Sequence, residues 1–228
     1  MDLGLIGAQY ALFVFSTVCH ETAHAAAAQW GGDDTAARGG QVALDPLPHM
    51  RREPFGMVII PLVSLFTGGY LMGWASTPYD PRWADAYPKR AALMSLAGPA
   101  ANLALVLVAA VGIHLGIFAG VLQQAASISF EQVVLGVGPA WSTGLAILLS
   151  VLFSLNLLLF FFNLIPLPPL DGSGALALLP GGERLSNALR APQLRFIGLL
   201  VAFFVFPSIF GYLQVLGLNL LFPGSNYH

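Results

Sequence analysis

Ser16-Thr17-Val18-Cys19-His20-Glu21-Thr22-Ala23-His24-Ala25 lies inside an apolar stretch, residues 3–30, long enough to cross a bilayer. Residues four apart in an α-helix sit one above the other on one face, so His20 and His24 offer two imidazole nitrogens to a single metal ion. Glu21, one step around the helix, is close enough to take a proton from a water held by that ion. Ionisable groups at membrane depth are expensive and mark functional sites. The competing reading, two histidines and a glutamate merely satisfied by neighbouring helices, leaves that cost unexplained.

Composition agrees with a membrane setting. The chain is 57% hydrophobic and 9% charged, against about 25% charged in ordinary soluble domains. A net charge of -2 spread over so few charged residues leaves no basic footprint for nucleic acid. The single cysteine, Cys19, excludes an internal disulfide framework. No Lys or Arg precedes the first apolar run, and cleavage there would destroy the histidine motif, so it reads as an uncleaved membrane helix rather than a signal peptide. Three further long apolar segments, residues 91–116, 141–164 and 196–222, also have the length of spans. A weaker one, residues 55–75, is interrupted by Pro61 and by Gly68-Gly69, which suits a re-entrant or broken segment. Trp30, Trp74, Trp83 and Trp141 fall near segment ends, where indoles anchor at the membrane interface.

The nine Lys and Arg residues orient the spans. Arg38, Arg51 and Arg52 follow the first; Arg82, Lys89 and Arg90 precede the second; Arg184, Arg190 and Arg195 precede the last; none lies between Gly116 and Trp141. The positive-inside rule puts the three basic groups in the cytoplasm and the basic-free loop, with Glu131, outside. The parity holds only if residues 55–75 dip in and return.

The third span ends in Asn163-Leu164-Ile165-Pro166-Leu167-Pro168-Pro169-Leu170-Asp171-Gly172. The prolines stop the helix, and Gly172 allows a tight turn around Asp171. A catalytic zinc takes three protein ligands and keeps one open position. Asp171 is the best third ligand, since it follows a helix running in the same direction as the histidine helix and ending on the same side. Alternatively it only caps the short segment that begins at Gly172.

The histidine motif, Gly98-Pro99-Ala100-Ala101-Asn102 in the next core helix, and the run ending in Leu170-Asp171-Gly172 together resemble the site-2 protease family of intramembrane zinc metalloproteases, over roughly residues 7–174. The resemblance implies one Zn²⁺ per chain bound by His20, His24 and Asp171, Glu21 as general base, and membrane-protein substrates cleaved within or beside the bilayer. Family members often carry a PDZ or CBS domain. This chain resembles a compact, core-only member, with one transmembrane metalloprotease domain over residues 1–228 and a C-terminal membrane segment at 195–222. Leu44-Asp45-Pro46-Leu47-Pro48-His49 resembles a stretch after the histidine helix in one compact subgroup, with Asp45 where an Asn stands there and Arg51-Arg52-Glu53 lengthening the approach to Pro54 and Gly56. His49 is therefore a candidate polar group near the site, beside the plainer reading of an interfacial loop histidine. His114 and His228 have no partner pattern.

Two asparagines complete the candidate set. Asn102 reads as interhelical glue, worth about 1 kcal/mol, or as a substrate-binding group. Asn163, at the end of its helix, is a candidate donor to substrate backbone or a developing oxyanion. Residues 39–44, Gly-Gly-Gln-Val-Ala-Leu, have modest strand character, with the returning segment around 69–74 as the available partner. The expectation is an all-α polytopic membrane protein of about four to six transmembrane segments, with a re-entrant segment and a small membrane-associated β region. It is expected to work in the cell membrane as a zinc-dependent intramembrane endopeptidase whose active site lies towards the cytoplasm. The alternative is a non-catalytic zinc-containing membrane protein that binds and retains client helices. An intact Glu21 and three rather than four ligands argue against it.

Overall fold

A computed structural model describes residues 3–68, 71–189, 191–225 and 227. In chain order its elements are α1 (Leu3–Gly31), α2 (Thr35–Arg38), α3 (Pro46–Arg52), a π-helical turn (Phe55–Ile59) running into α4 (Ile60–Gly68), α5 (Pro81–Ala86) and α6 (Pro88–Phe118). A hairpin of β1 (Leu122–Ser129) and β2 (Gln132–Gly136) follows, then α7 (Ala140–Asn163), α8 (Asp171–Ala175), α9 (Gly182–Leu189) and α10 (Pro192–Leu221). Among the described residues α1, α6, α7 and the Phe204–Leu221 part of α10 are long and apolar enough to cross a membrane. These are the four spans expected from the sequence, and the protein is an all-α polytopic membrane protein with a small two-stranded sheet.

The helices are amphipathic in the inverted sense that hydrocarbon solvent demands. In α1 the buried residues Gln9, Ser16, Thr17, His20, Glu21 and His24 recur on one face, while Leu3 and Phe15 are exposed. Polar groups turn inward, because lipid cannot satisfy them. Ala28 of α1 packs with Trp83 and Ala84 of α5 and with Ala91 and Met94 of α6, small residues letting the backbones approach. Trp83 is therefore buried, with its indole N–H donating to the Gly31 carbonyl at 2.9 Å, and not an interface anchor. Trp30, Trp74 and Trp141 are exposed.

Residues 55–80 double back. The π-helical turn and α4 together form one short apolar helix, Phe55–Thr67, about 20 Å long, short of a hydrocarbon core of about 30 Å. The chain then returns as irregular backbone over 71–80, the Trp74 N–H donating to the Gly56 carbonyl at 3.0 Å and the Met72 N–H to Ser64 Oγ at 3.0 Å. A Cβ on Gly56 would lie 2.2 Å from the Trp74 carbonyl oxygen, so the return packs this closely only against glycine. Gly69 lies outside the described residues. The far end of the return is pinned by Asp33, just beyond α1, whose carboxylate accepts the Asp80 N–H at 2.8 Å. Burial pushes the Asp33 carboxyl up, but hydrogen bonds from Thr35 and Asp80 and the charge of Arg38 outweigh this and hold it below its ordinary value.

The sheet is not where the sequence suggested. Residues 39–44 form turns, because the Gly39, Gly40 and Gln41 N–H groups are taken by the Ala36 and Ala37 carbonyls at the end of α2. Asp45 then caps α3 by accepting the Leu47 N–H at 2.9 Å. With those donors spent on helix ends, no ladder forms with the returning segment. The strands lie instead between α6 and α7, pairing antiparallel with Leu122 opposite Gly136 and Ser129 opposite Gln132. Val133 and Val134 of β2 are buried against Ile113 of α6 and Phe153 of α7, and both their N–H groups reach Ser150 Oγ on α7. Glu131 in the hairpin turn accepts a hydrogen bond from Gln9 of α1.

Candidate active site

His20 and His24 sit one helical turn apart with their Nε2 atoms 3.0 Å from each other. Each ring is aimed by its other nitrogen. His20 Nδ1 is 2.6 Å from Asn102 Oδ1, and His24 Nδ1 is 2.7 Å from the Met94 carbonyl oxygen, both on α6. Oxygens of this kind only accept, so both Nδ1 atoms carry protons, which leaves both Nε2 atoms as the potential metal donors. Asn102 is held in turn: its amide N–H donates to Asn156 Oδ1 at 2.8 Å, and the Asn156 amide donates to Ser16 Oγ and the Leu152 carbonyl, each at 2.9 Å. A buried relay thus ties α1, α6 and α7 together and fixes the tautomer of one imidazole. Asn102 is more than the interhelical glue expected of it.

Asp171 completes the cluster from the far side of the chain. Its Oδ2 is 3.1 Å from His20 Nε2 and 3.2 Å from His24 Nε2, buried and without a hydrogen-bond partner. It is the first residue of α8, and Leu170 holds the capping position, so its side chain is not spent on the helix end. Gly172 keeps its place for a different reason than a turn: a Cβ there would lie 2.3 Å from the Leu164 carbonyl oxygen. Gly98 is equally constrained, since a Cβ on it would sit 2.3 Å from His24 Nε2 and 2.5 Å from His20 Nε2. Only glycine lets the α6 backbone pass the two rings.

Two imidazole nitrogens and a carboxylate oxygen aimed at one another are held together by a shared proton or by a metal ion. Ligand atoms about 2.0–2.1 Å from one tetrahedral ion stand about 3.3 Å apart, and the separations here are 3.0, 3.1 and 3.2 Å. The donor set and its spacing fit a divalent metal of the zinc type.

Glu21 stands beside this cluster, 5% exposed, with Oε2 accepting a hydrogen bond from Thr77 Oγ1 at 2.7 Å. All four residues line a cavity of about 740 Å³ that runs between α1, the return segment, the end of α7 and the turn before α8. Asn163 lines it too, one of its amide protons engaged by the Leu159 carbonyl at 3.0 Å. His49 does not line it. That residue lies on α3, buried beside Gln41 Nε2 at 3.5 Å and the Ala43 carbonyl at 3.3 Å, so it is not an exposed interfacial histidine. His114 is near Phe222, in a separate cavity; His228 lies outside the described residues.

Sequence reasoning missed Ser16, Asn156 and Thr77. The first two carried the signal that exposed Asn102, a polar residue in an apolar helix. Thr77 carried none, being one hydroxyl in a loop of mixed composition.

A metal-type donor set and a carboxylate inside a helical membrane bundle define a membrane metallopeptidase. The family model for peptidase family M50 matches residues 8–205, so the chain belongs to that family, the site-2 proteases, and is an intramembrane metalloprotease. It is 38% identical over 192 residues to the Bacillus subtilis (strain 168) protein named "Putative zinc metalloprotease YwhC", covering 83% of this chain and 77% of that one. No solved structure matches it.

Proposed function

We propose that the protein is a zinc-dependent endopeptidase of site-2 protease type that cleaves transmembrane or membrane-proximal segments of membrane proteins, with His20, His24 and Asp171 holding one Zn²⁺ and Glu21 as general base. The convergence of three potential metal donors beside Glu21 in one cavity carries this reading. Zn²⁺ bound there supplies a Lewis acid that polarises the scissile carbonyl and lowers the pKa of water towards about 7. Glu21 takes the proton from the attacking water and returns it to the leaving amine. Asn102 and the Met94 carbonyl keep the imidazoles in register throughout. Asn163 lines the cavity with one amide proton beyond its bond to Leu159, which supports a role as donor to substrate backbone or to the oxyanion.

A transmembrane helix buries its scissile carbonyls in its own hydrogen bonds, so a substrate must unwind and find new partners. The return segment supports that step better than residues 39–44, because Met72 to Thr77 line the cavity and have no strand ladder. In a bilayer-reconstituted assay, chelator should abolish cleavage of a fluorophore–quencher transmembrane peptide, and Zn²⁺ should restore it. Cleavage unaffected by chelation would remove the proposal.

The site is proposed to open towards the cytoplasm. Arg38, Arg82 and Arg184 are exposed and lie in the connections at the end of the bundle that holds the cluster. In a Cys19→Ala background, Arg38→Cys, Arg82→Cys and Arg184→Cys should resist an impermeant thiol reagent applied to intact cells, and Gln123→Cys on the exposed face of β1 should react. Labelling of the Arg38 position from outside would reverse this orientation.

A further inference from the structure

Thr77 lies 56 positions from Glu21 in sequence, yet its hydroxyl is 2.7 Å from Glu21 Oε2 and 3.0 Å from the Glu21 carbonyl oxygen. A hydroxyl has one proton to give, and the carboxylate is both nearer and the stronger acceptor. The hydroxyl is presented by its own supports rather than by Glu21 alone. Next to it, Ser76 Oγ donates to the Glu53 carboxylate, the Ser76 carbonyl accepts Gln41 Nε2 at 3.4 Å, and Arg52 Nε lies 3.4 Å from Ser76 Oγ. Three side chains outside the site therefore hold residue 76, and with it residue 77, against the face of α1.

We propose that Thr77 is the positioning residue for Glu21: it fixes one carboxylate oxygen and leaves the other to handle the proton. This rests on the reading of Glu21 as base. A glutamate has several rotatable bonds and Glu21 lines a cavity, so without a fixed partner its carboxylate samples orientations that do not face the attacking water. Misplacement of a catalytic group by about 1 Å costs on the order of 100-fold in rate. The segment that carries Thr77 also lines the cavity where substrate must lie, so the wall that receives the substrate also aims the base.

The test uses the purified full chain with a set of fluorophore–quencher transmembrane peptides of Leu and Ala differing in their central residues, from which one cleaved by the wild-type protein is taken. Thr77→Val should lower kcat about 10- to 100-fold, with KM within about twofold and zinc content unchanged. Thr77→Ser, which keeps the hydroxyl, should stay within about threefold of wild type. Wild-type kcat in Thr77→Val, an equal loss in Thr77→Ser, or loss of zinc or of folded protein in Thr77→Val with activity kept in Thr77→Ala would each overturn the assignment. Full activity in Glu21→Gln would instead remove the base itself, so failure of the underlying reading is told apart from failure of this one.

Discussion

Glu21→Gln should abolish cleavage while the protein keeps its metal. The amide preserves the size of the side chain and can still meet the Thr77 hydroxyl, so packing around α1 is undisturbed, but it cannot accept the proton of the attacking water. General-base removal alone costs about 10²- to 10⁴-fold, and here the same carboxylate also has to protonate the leaving amine, so the loss should reach the upper part of that range or beyond. His20, His24 and Asp171 are untouched, and zinc should remain at about one per chain. The check is a rate on a cleaved transmembrane peptide together with metal analysis of the same preparation. Activity within tenfold of wild type would take Glu21 out of the mechanism.

The second large effect is expected at Asp171. Asn has nearly the same volume, and the Asp171 side chain does not cap α8, so Asp171→Asn spares that helix. What it removes is the negative charge that faces two imidazole lone pairs at 3.1 and 3.2 Å. Outer partners of metal ligands typically contribute about 10- to 100-fold in affinity, and losing a charged ligand should exceed that. Zinc content and cleavage should fall together while the helical content in detergent is unchanged. A protein with full zinc affinity but no cleavage would make Asp171 a substrate or proton-handling group rather than a ligand.

Membrane setting, span number and the three-part motif were legible in the sequence because each is a local signal. Apolar length marks a span, four-residue spacing stacks His20 over His24, and prolines end a helix next to Asp171. The doubling-back of residues 55–75 was legible too, through the helix breakers in that stretch. The strands were not. Residues 39–44 look extended by composition, but neighbouring helix ends took their donors, whereas Val133 and Val134 form a strand because Ser150 and the apolar faces of α6 and α7 receive them. Strand formation is decided by such tertiary partners. The same limit hid the supports of the site. Asn156 meets Asn102, and Thr77 meets Glu21, across 54 and 56 positions of chain, and nothing local in the sequence joins them. The packing of His49 was hidden too: its motif neighbourhood suggested the site or an interfacial loop, and only the fold shows it buried on α3.

The central claim, that two histidines and one aspartate hold the metal on which Glu21 works, is tested most directly by zinc K-edge X-ray absorption on the purified wild-type protein. The account predicts a first shell of nitrogen and oxygen only, about four atoms near 2.0–2.1 Å, with outer-shell scattering from two imidazoles. Sulfur in the first shell, or three imidazoles, would contradict it.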